Sequence, residues 1–224
     1  MNKTAMPEIA SDMIEYYGRR AGVYDRVYDK PERRQALLAV AERLQAAVRQ
    51  KEVYELACGT GYWTRIMADA AASVFATDIN ESMLELARNR NAGFGNVHFA
   101  RENLYDQPSG APAGVLFAGF IWSHIDVREM PAFLDALRVR VGPGGQVFLV
   151  DNLFVPGSNT PLEAPDGFGN TYQIRELEDG GRFKILKNFP TEGQMRKWWE
   201  PYASQLEWLE LEYFWVAEIK INNG

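Results

Sequence analysis

The sequence has little cysteine and no long apolar run. Cys58 is the single cysteine among 224 residues, so no disulfide can form within the chain, which fits a reducing compartment. No stretch approaches the roughly 20 consecutive apolar residues that a membrane-spanning helix requires, and the first residues lack the apolar segment of a signal peptide. We therefore expect a cytoplasmic protein that does not contact a membrane.

An excess of basic residues is absent as well. The chain has 24 Lys and Arg against 30 Asp and Glu, a net charge of -6, so it offers no general basic surface for a nucleic-acid backbone. This balance predicts a small-molecule partner and no nucleic acid, although a local basic patch remains open. The sequence does not decide the oligomeric state, and a homodimer is one alternative.

Short apolar runs alternate with amphipathic stretches in the middle of the chain. Strands are predicted at 53–56, 73–77, 97–101, 115–120 and 146–151, and helices at 64–70, 81–90 and 130–141. Such alternation predicts an α/β fold with a parallel sheet and helices on both of its faces. Ligands of such sheets bind beyond the carboxyl ends of the strands.

The two flanking regions depart from this alternation. Residues 1–50 carry a helical apolar stripe and many tyrosines and arginines, which predicts a helical lid. Residues 51–155 form the core, and residues 156–224 contain a hairpin sequence around Asp179, Gly180 and Gly181, then a helix and two further strands. We expect all three regions to form one domain spanning residues 1–224.

A glycine-containing turn, ACGTG at 57–61, follows the first predicted strand. Gly59 and Gly61 let the backbone bend sharply and approach a ligand without an intervening Cβ. A dinucleotide-binding turn requires a third glycine or alanine three residues later, where this chain has Thr64. Asp78 ends the second strand about 20 residues further on, where a carboxylate can accept hydrogen bonds from both ribose hydroxyls.

A second carboxylate, Glu55, lies beside these glycines. It would repel a phosphate and attract an ammonium or sulfonium group. S-adenosylmethionine combines a ribose with both positive charges, so it is the predicted ligand. The alternatives are structural: Asp78 or Asn80 could cap the following helix, and the glycines could mark an ordinary strand-to-helix turn.

The stretches ELACGTG, WSHI and GPGG, together with Asp78, resemble the motifs of class I S-adenosylmethionine-dependent methyltransferases from about Tyr16 to the C-terminus. The resemblance implies a Rossmann-like seven-stranded mixed sheet with its last strand antiparallel, an N-terminal helical lid, a C-terminal hairpin insertion, S-adenosylmethionine as cofactor and no metal. Ala57 replaces the more usual first glycine, and Asn103 stands where an aspartate is common. The residues implied in cofactor binding are Tyr17, Tyr24, Glu55, Ala57, Gly59, Gly61, Asp78, Ile79, Asn103, Leu104 and Phe120.

Three further stretches resemble a narrower group, the phosphonate O-methyltransferases of bacterial dehydrophos biosynthesis. They are YYGRRAGVYD, ELACGTGYWTR and RELEDGGRFKILKNF. This resemblance implies O-methylation of a small acid, a phosphonate or carboxylate, in secondary metabolism. It also implies that Arg175 and Lys187 hold the substrate anion. The tyrosines of the lid could pack the core or reach the ligands, and we expect Tyr28 to contact the substrate.

The geometry of the hairpin tests whether its two cations can act together. A two-residue loop of Asp179 and Gly180 would place Arg175 and Lys187 on opposite faces, whereas a three-residue loop that includes Gly181 would place both on one face. We predict the three-residue loop. The alternative is a solvated rim in which the basic side chains of the hairpin pair with its glutamates.

Tyr28 and His124 are the candidate catalytic residues. An ionised acid needs no base, whereas an alcohol or amine acceptor would need one, and His124 follows the fourth strand, where a base could act. Three other functions remain open: N-methylation of a small amine, methylation of RNA or protein, and cofactor binding without chemistry.

Overall fold

The computed structural model describes residues 8–223. Its α-helices are α1 Glu8–Arg20, α2 Arg34–Val48, α3 Tyr62–Ala68, α4 Glu81–Arg90, α5 Met130–Val141 and α6 Glu192–Trp199. Its strands are β1 Glu52–Leu56, β2 Ser73–Asp78, β3 Val97–Arg101, β4 Val115–Gly119, β5 Gln146–Asn152, β6 Tyr172–Glu176, β7 Arg182–Leu186, β8 Ala203–Glu210 and β9 Phe214–Ile221. The predicted alternation of strands and helices is confirmed, with boundaries shifted by a few residues.

A seven-stranded sheet forms the centre of the molecule, in the order β3-β2-β1-β4-β5-β9-β8. Strands β1 to β5 run parallel, and β9 runs antiparallel to both of its neighbours. The Rossmann-like mixed sheet with an antiparallel last strand is therefore confirmed. The strand order reverses between β1 and β4, which places a ligand crevice beyond the carboxyl ends of these two strands.

Both faces of the sheet are covered, which explains why its central strands are apolar without alternation. Val53 and Tyr54 are adjacent in β1, are 1% and 0% exposed, and belong to two different hydrophobic clusters on opposite faces. Because neighbouring strand residues point to opposite faces, a strand buried on both sides needs apolar side chains at nearly every position.

The N-terminal region and the hairpin pack against each other above this crevice. From residue 8 onward the predicted lid consists of α1, short 3₁₀ helices at Ala21–Val27 and Pro31–Arg33, and α2; residues 1–7 lie outside the described residues. The rings of Tyr16 in α1 and Phe183 in β7 pack at 5.5 Å between centroids. Strands β6 and β7 form a separate two-stranded sheet.

The register of the hairpin corrects the predicted loop. The predicted loop of residues 179–181 would pair Arg175 with Ile185. The observed partner is Phe183, and the three loop residues are 178–180, one position earlier than predicted. Gly180 adopts the left-handed conformation with φ 85°, and the Asp179 carboxylate accepts the Gly181 N–H at 3.0 Å. Gly180 therefore supplies the positive φ that the turn requires. The partner of Arg175 has moved by two residues. A shift of two residues along a strand keeps each side chain on the same face, so Arg175 and Lys187 share one face as expected.

Neither a membrane-spanning helix nor a metal-binding cluster is present among the described residues. None of their helices has both the length and the apolar composition needed to cross a membrane. Within the same part of the chain, no cluster of three or more His, Cys, Asp or Glu side chains is placed to hold a metal ion.

Candidate active site

The glycine-containing turn after β1 is held in an unusual backbone conformation. Ala57, Gly59 and Gly61 have φ values of 55°, 55° and 74°. A Cβ at Gly61 would lie 2.9 Å from the Ala87 Cα atom, whereas a Cβ at Gly59 would meet nothing within 4 Å. Gly61 therefore allows close packing of α3 against α4, and Gly59 leaves open space beside the backbone. Ala57 adopts the left-handed conformation at a cost of about 1 kcal/mol.

Asp78 joins this turn to the end of β2. Its carboxylate accepts the Gly59 N–H at 2.9 Å and the Asn80 N–H at 2.8 Å. Asn80 is the N-cap residue of α4, and its side chain makes no capping hydrogen bond. Asn80 therefore does not cap α4 through its side chain, and Asp78 joins the turn to the residue at which the helix begins.

Glu55 is a buried carboxyl group, with 1% of its surface exposed. It accepts a hydrogen bond from the Thr64 hydroxyl at 2.5 Å. Burial raises the pKa of Glu55 to about 8, and the nearby Asp78 charge adds to this increase. At neutral pH a carboxyl group in such surroundings is mostly protonated, and a positive group next to it favours the charged form.

These features fit S-adenosylmethionine without rearrangement of the turn. The open space at Gly59 allows a ligand to approach the backbone, Asp78 lies where a ribose would be held, and the buried Glu55 suits a cationic methionine moiety. Ile79, Asn103 and Leu104, three further residues predicted to bind the cofactor, follow the carboxyl ends of β2 and β3. The Asn103 Oδ1 atom accepts the Tyr105 N–H at 3.0 Å.

The other predicted site residues surround a cavity of about 330 Å³ between the lid and the hairpin. Tyr17, Tyr24, Tyr28, Phe120, His124, Arg175 and Lys187 all line it. The Tyr28 ring stacks on that of Tyr62 at 4.0 Å between centroids, and Tyr62 follows the glycine-containing turn directly. We call this cavity the acceptor chamber, and the Tyr28–Tyr62 stack places it next to the turn.

His124 has both ring nitrogens occupied. Nδ1 lies 2.8 Å from the Leu186 carbonyl oxygen, and Nε2 lies 2.8 Å from the Tyr17 hydroxyl. A carbonyl only accepts hydrogen bonds, so Nδ1 carries the proton and Nε2 accepts from Tyr17. Burial lowers the pKa of His124 to about 3, and the Lys187 charge acts in the same direction. His124 is therefore a neutral imidazole that orients the Tyr17 hydroxyl.

The two hairpin cations of the acceptor chamber have different partners. Lys187 is 5% exposed, and its Nζ lies 2.5 Å from the Ser123 Oγ and 3.3 Å from the Asp151 carboxylate. Arg175 donates from Nε and Nη2 to the Gln173 Oε1 at 3.2 and 2.5 Å. Lys187 thus forms a buried ion pair, while the side-chain partner of Arg175 is a neutral amide.

The solvated-rim alternative describes the other two basic residues of the hairpin. Arg182 pairs with Glu176 at 3.2 Å, and Lys184 pairs with Glu163 at 3.6 Å. All four of these side chains are about half exposed or more. The hairpin therefore carries an outer charged rim on one face and two inward cations on the other.

The comparisons with known proteins agree with this geometry. A family model described as a methyltransferase domain matches residues 53–145. The DhpI–SAH complex superimposes with a TM-score of 0.81 at 27% identity, covering 98% of this chain and 100% of that one. Residues 53–145 therefore match a methyltransferase domain, and the whole chain resembles the class I S-adenosylmethionine-dependent methyltransferases in its fold. The DhpI–SAM–HEP complex matches this chain with a TM-score of 0.80 at 27% identity, over 97% and 100% of the two chains.

Curated relatives align with the methyltransferase over a shorter region. Demethylmenaquinone methyltransferase of Clavibacter sepedonicus is 31% identical over 152 residues, 63% of this chain and 61% of that protein. Malonyl-[acyl-carrier protein] O-methyltransferase of Pectobacterium atrosepticum is 34% identical over 142 residues, 60% of this chain and 51% of that protein. The methyltransferase thus spans less than two thirds of the length of these relatives.

Sequence reasoning missed four basic residues of the acceptor chamber. Arg20, Arg26, Lys30 and Arg33 line it from the lid side. In the sequence they read as the solvent-facing residues of an amphipathic helical region. Their tight spacing around the tyrosines at positions 16–28 was the available signal.

Proposed function

We propose that this methyltransferase transfers the methyl group of S-adenosylmethionine to an oxygen of a small acidic molecule, a phosphonate or a carboxylate, in bacterial secondary metabolism. The observation that carries the proposal is the charge of the acceptor chamber. Six of its lining residues are Lys or Arg, namely Arg20, Arg26, Lys30, Arg33, Arg175 and Lys187, and none of the described lining residues is Asp or Glu. Arg26 and Lys187 pair with carboxylates outside this lining, Glu178 and Asp151, whereas the other four form no ion pair with the described residues. A cavity with this lining attracts an oxyanion and repels an ammonium group.

The cofactor, when bound, supplies a methyl group on a positively charged sulfur. Asp78 and Glu55 hold the ribose and the methionine moiety, and the lid covers the site and excludes water. Arg175 and Lys187 orient the acid so that one of its oxygens faces the methyl group. Most of the rate acceleration then comes from this positioning, and the ionised oxygen needs no general base.

The role of His124 follows from its hydrogen bonds. Its Nε2 atom accepts from the Tyr17 hydroxyl, so it is not available to take a proton from an acceptor. We propose that His124 positions Tyr17 at the wall of the chamber and that Tyr28 contacts the acceptor directly. N-methylation of an amine would require carboxylates in the chamber to hold a cation.

A small-molecule partner and a cytoplasmic location are part of the same proposal. They rest on the charge balance and the single cysteine of the sequence. The DhpI–SAM–HEP complex supports an acceptor bound together with the cofactor, because a protein that matches 97% of this chain binds HEP and SAM together. We propose that the lid encloses the site, that the core binds the cofactor and that the hairpin binds the acceptor.

Arg175→Gln tests the proposal. We expect the KM for an acidic acceptor to rise at least about 10-fold, because a charge-assisted contact is lost, while S-adenosylmethionine affinity stays within about twofold. Arg182→Gln is the matched control, since it removes the same charge from the outer rim of the same hairpin. Lys187 is less suitable for substitution, because its removal would leave the buried Asp151 carboxylate without its ion-pair partner. Unchanged acid kinetics in Arg175→Gln would contradict the proposal.

A further inference from the structure

Arg33 is a buried cation without a carboxylate partner. It is 7% exposed and lines the acceptor chamber. Its guanidinium donates to the Asn152 Oδ1 at 3.3 Å and to the Ser158 Oγ at 2.9 Å, and its Nε has no hydrogen-bond partner among the described residues. Both hydrogen-bond partners are neutral, and Arg33 forms no ion pair with the described residues. Its charge is offset only by the Glu32 carboxylate, without a salt bridge, and by the Tyr213 and Phe214 rings, whose centroids lie 5.4 and 5.8 Å from the guanidinium carbon.

Arg33 lies within electrostatic range of two other cations. Burial lowers the pKa of Arg33 and the Arg175 charge acts in the same direction, whereas the Glu32 charge opposes the shift. Burial also lowers the pKa of Lys187, where Asp151 opposes the shift and both Arg175 and Arg33 add to it. Three positive groups therefore lie within electrostatic range of one another, and among the described residues the one ion pair that they form is Lys187 with Asp151. Such an arrangement costs free energy unless an anion enters it.

The positions of these cations divide the chamber into two sides. Arg175 and Lys187 enter from the hairpin, whereas Arg33 enters from the 3₁₀ helix Pro31–Arg33 before α2. Asp151 and Asn152, which contact Lys187 and Arg33, are adjacent residues at the end of β5. An anion held from both sides at this strand end would be contacted by three cations at once.

We infer that Arg33 selects acceptors that carry two negative charges, with one charge held by the hairpin cations and the second by Arg33. This inference rests on the proposed function and narrows its substrate class to dianions. In the reaction, an oxygen lone pair forms the new C–O bond, and the electrons of the C–S bond return to sulfur. The sulfur becomes a neutral thioether, and the acceptor loses one of its two negative charges. The monoanionic product is then held less tightly and leaves.

Calorimetric titration of the full-length protein, saturated with S-adenosylhomocysteine, tests this inference. The matched ligands are succinate and succinamate, a dianion and a monoanion of nearly the same size. Fully ionised ethylphosphonate and its monomethyl ester form a second pair, which distinguishes two charges on one group from charges on separate groups. We expect the wild type to prefer the dianion of at least one pair by about 10-fold or more, as for a charge-assisted guanidinium contact.

Arg33→Gln should reduce this preference to less than about threefold, because the second charge loses its cation. Arg34→Gln is the matched control, since it removes the same charge from the next residue, which is exposed, and should keep the wild-type preference. Arg33→Lys keeps a positive charge and should retain a dianion preference. Loss of the preference in a folded Arg33→Lys variant would overturn the inference.

Thermal unfolding separates ligand selection from a purely structural role. Removal of a buried charge that lacks an ion pair should leave the Tm of Arg33→Gln unchanged or raise it, whereas a structural role predicts a lower Tm and equal weakening of both ligands. A wild type that binds mono- and dianions equally would overturn the inference about Arg33 alone. A wild type that binds neither kind of acid and methylates amines would overturn the proposed function itself.

Discussion

At the scale of single residues, we propose that the carboxyl group of Glu55 couples cofactor binding to pH. Burial raises the pKa of Glu55 from 4.5 to about 8. Between these two pH values the carboxyl group is protonated in the folded state and ionised in the unfolded state. Its contribution to stability is therefore complete at low pH and is lost as the pH rises through about 8. A bound cation reverses this effect, because it favours the charged carboxylate.

The stabilisation of the protein by S-adenosylmethionine should consequently grow with pH. We expect the cofactor-induced increase in Tm to be larger at pH 9 than at pH 6, and Glu55→Gln to bind weakly without this pH dependence. Thermal unfolding with and without the cofactor measures both effects. A ligand-induced increase that stays constant across this range in the wild type would contradict the assigned role of Glu55.

Gly59 and Gly61 look equivalent in the sequence but differ in their surroundings. Gly61→Ala should lower stability by about 1–3 kcal/mol, because its Cβ would clash with α4. Gly59→Ala should cost only about 1 kcal/mol of backbone strain but weaken cofactor binding at least about 10-fold, since the new Cβ fills the open space beside the turn. Thermal unfolding and calorimetric titration separate the two effects. A normal affinity in Gly59→Ala would mean that the ligand does not approach there.

Residue roles could be predicted where they follow from neighbours in the sequence. The positions of the turn residues and Asp78 could be predicted from one segment, since a strand, a glycine-containing turn and the end of the next strand lie in fixed order. Arg33 could not be found in this way, because its burial depends on Asn152 and Ser158, more than 100 residues away.

At the scale of elements, one side chain of the lid, Asp25, forms a hydrogen bond with the glycine-containing turn. Asp25, in the 3₁₀ helix Ala21–Val27, accepts a hydrogen bond from the Thr60 hydroxyl at 2.6 Å. It also forms an ion pair with Arg90 of α4. The lid therefore contacts the turn and the neighbouring helix at the same point.

Asp25→Asn should loosen this contact and speed cofactor exchange. We expect the dissociation rate of S-adenosylmethionine to rise several-fold, because a partly buried ion pair is lost, while the overall fold is kept. Stopped-flow fluorescence measures this rate. Asp29→Asn is the control, since this residue also lies in the lid and its exposed side chain forms no hydrogen bond or ion pair with the described residues. Equal dissociation rates in both variants would show that Asp25 does not hold the lid.

The hairpin shows what local sequence can determine about an element. Its existence and the shared face of Arg175 and Lys187 were predictable from strand alternation and the glycines. The loop position was not, because the sequence has two adjacent glycines, and either could adopt the left-handed conformation. Packing of Phe183 on Tyr16, which depends on tertiary structure, accompanies the observed register.

At the scale of the whole molecule, the fold was predictable and the chamber was not. Strands buried on both faces leave a continuous apolar pattern, so the parallel core could be read from the sequence. The acceptor chamber joins the lid, the ends of β4 and β5, and the hairpin, and its positive charge contrasts with the net charge of -6 of the chain. Only the folded arrangement concentrates these cations in one cavity.

The most direct test of the account is methyl transfer from labelled S-adenosylmethionine to four matched sets of acceptors: phosphonates, carboxylic acids, phenols and amines. We expect label to appear in an ester of a phosphonate or carboxylate and not in an amine, because the proposed role of the chamber is to bind oxyanions and its cations would repel an ammonium group. Labelled amines with unlabelled acids would contradict the central claim that the cations of this chamber select an acidic acceptor.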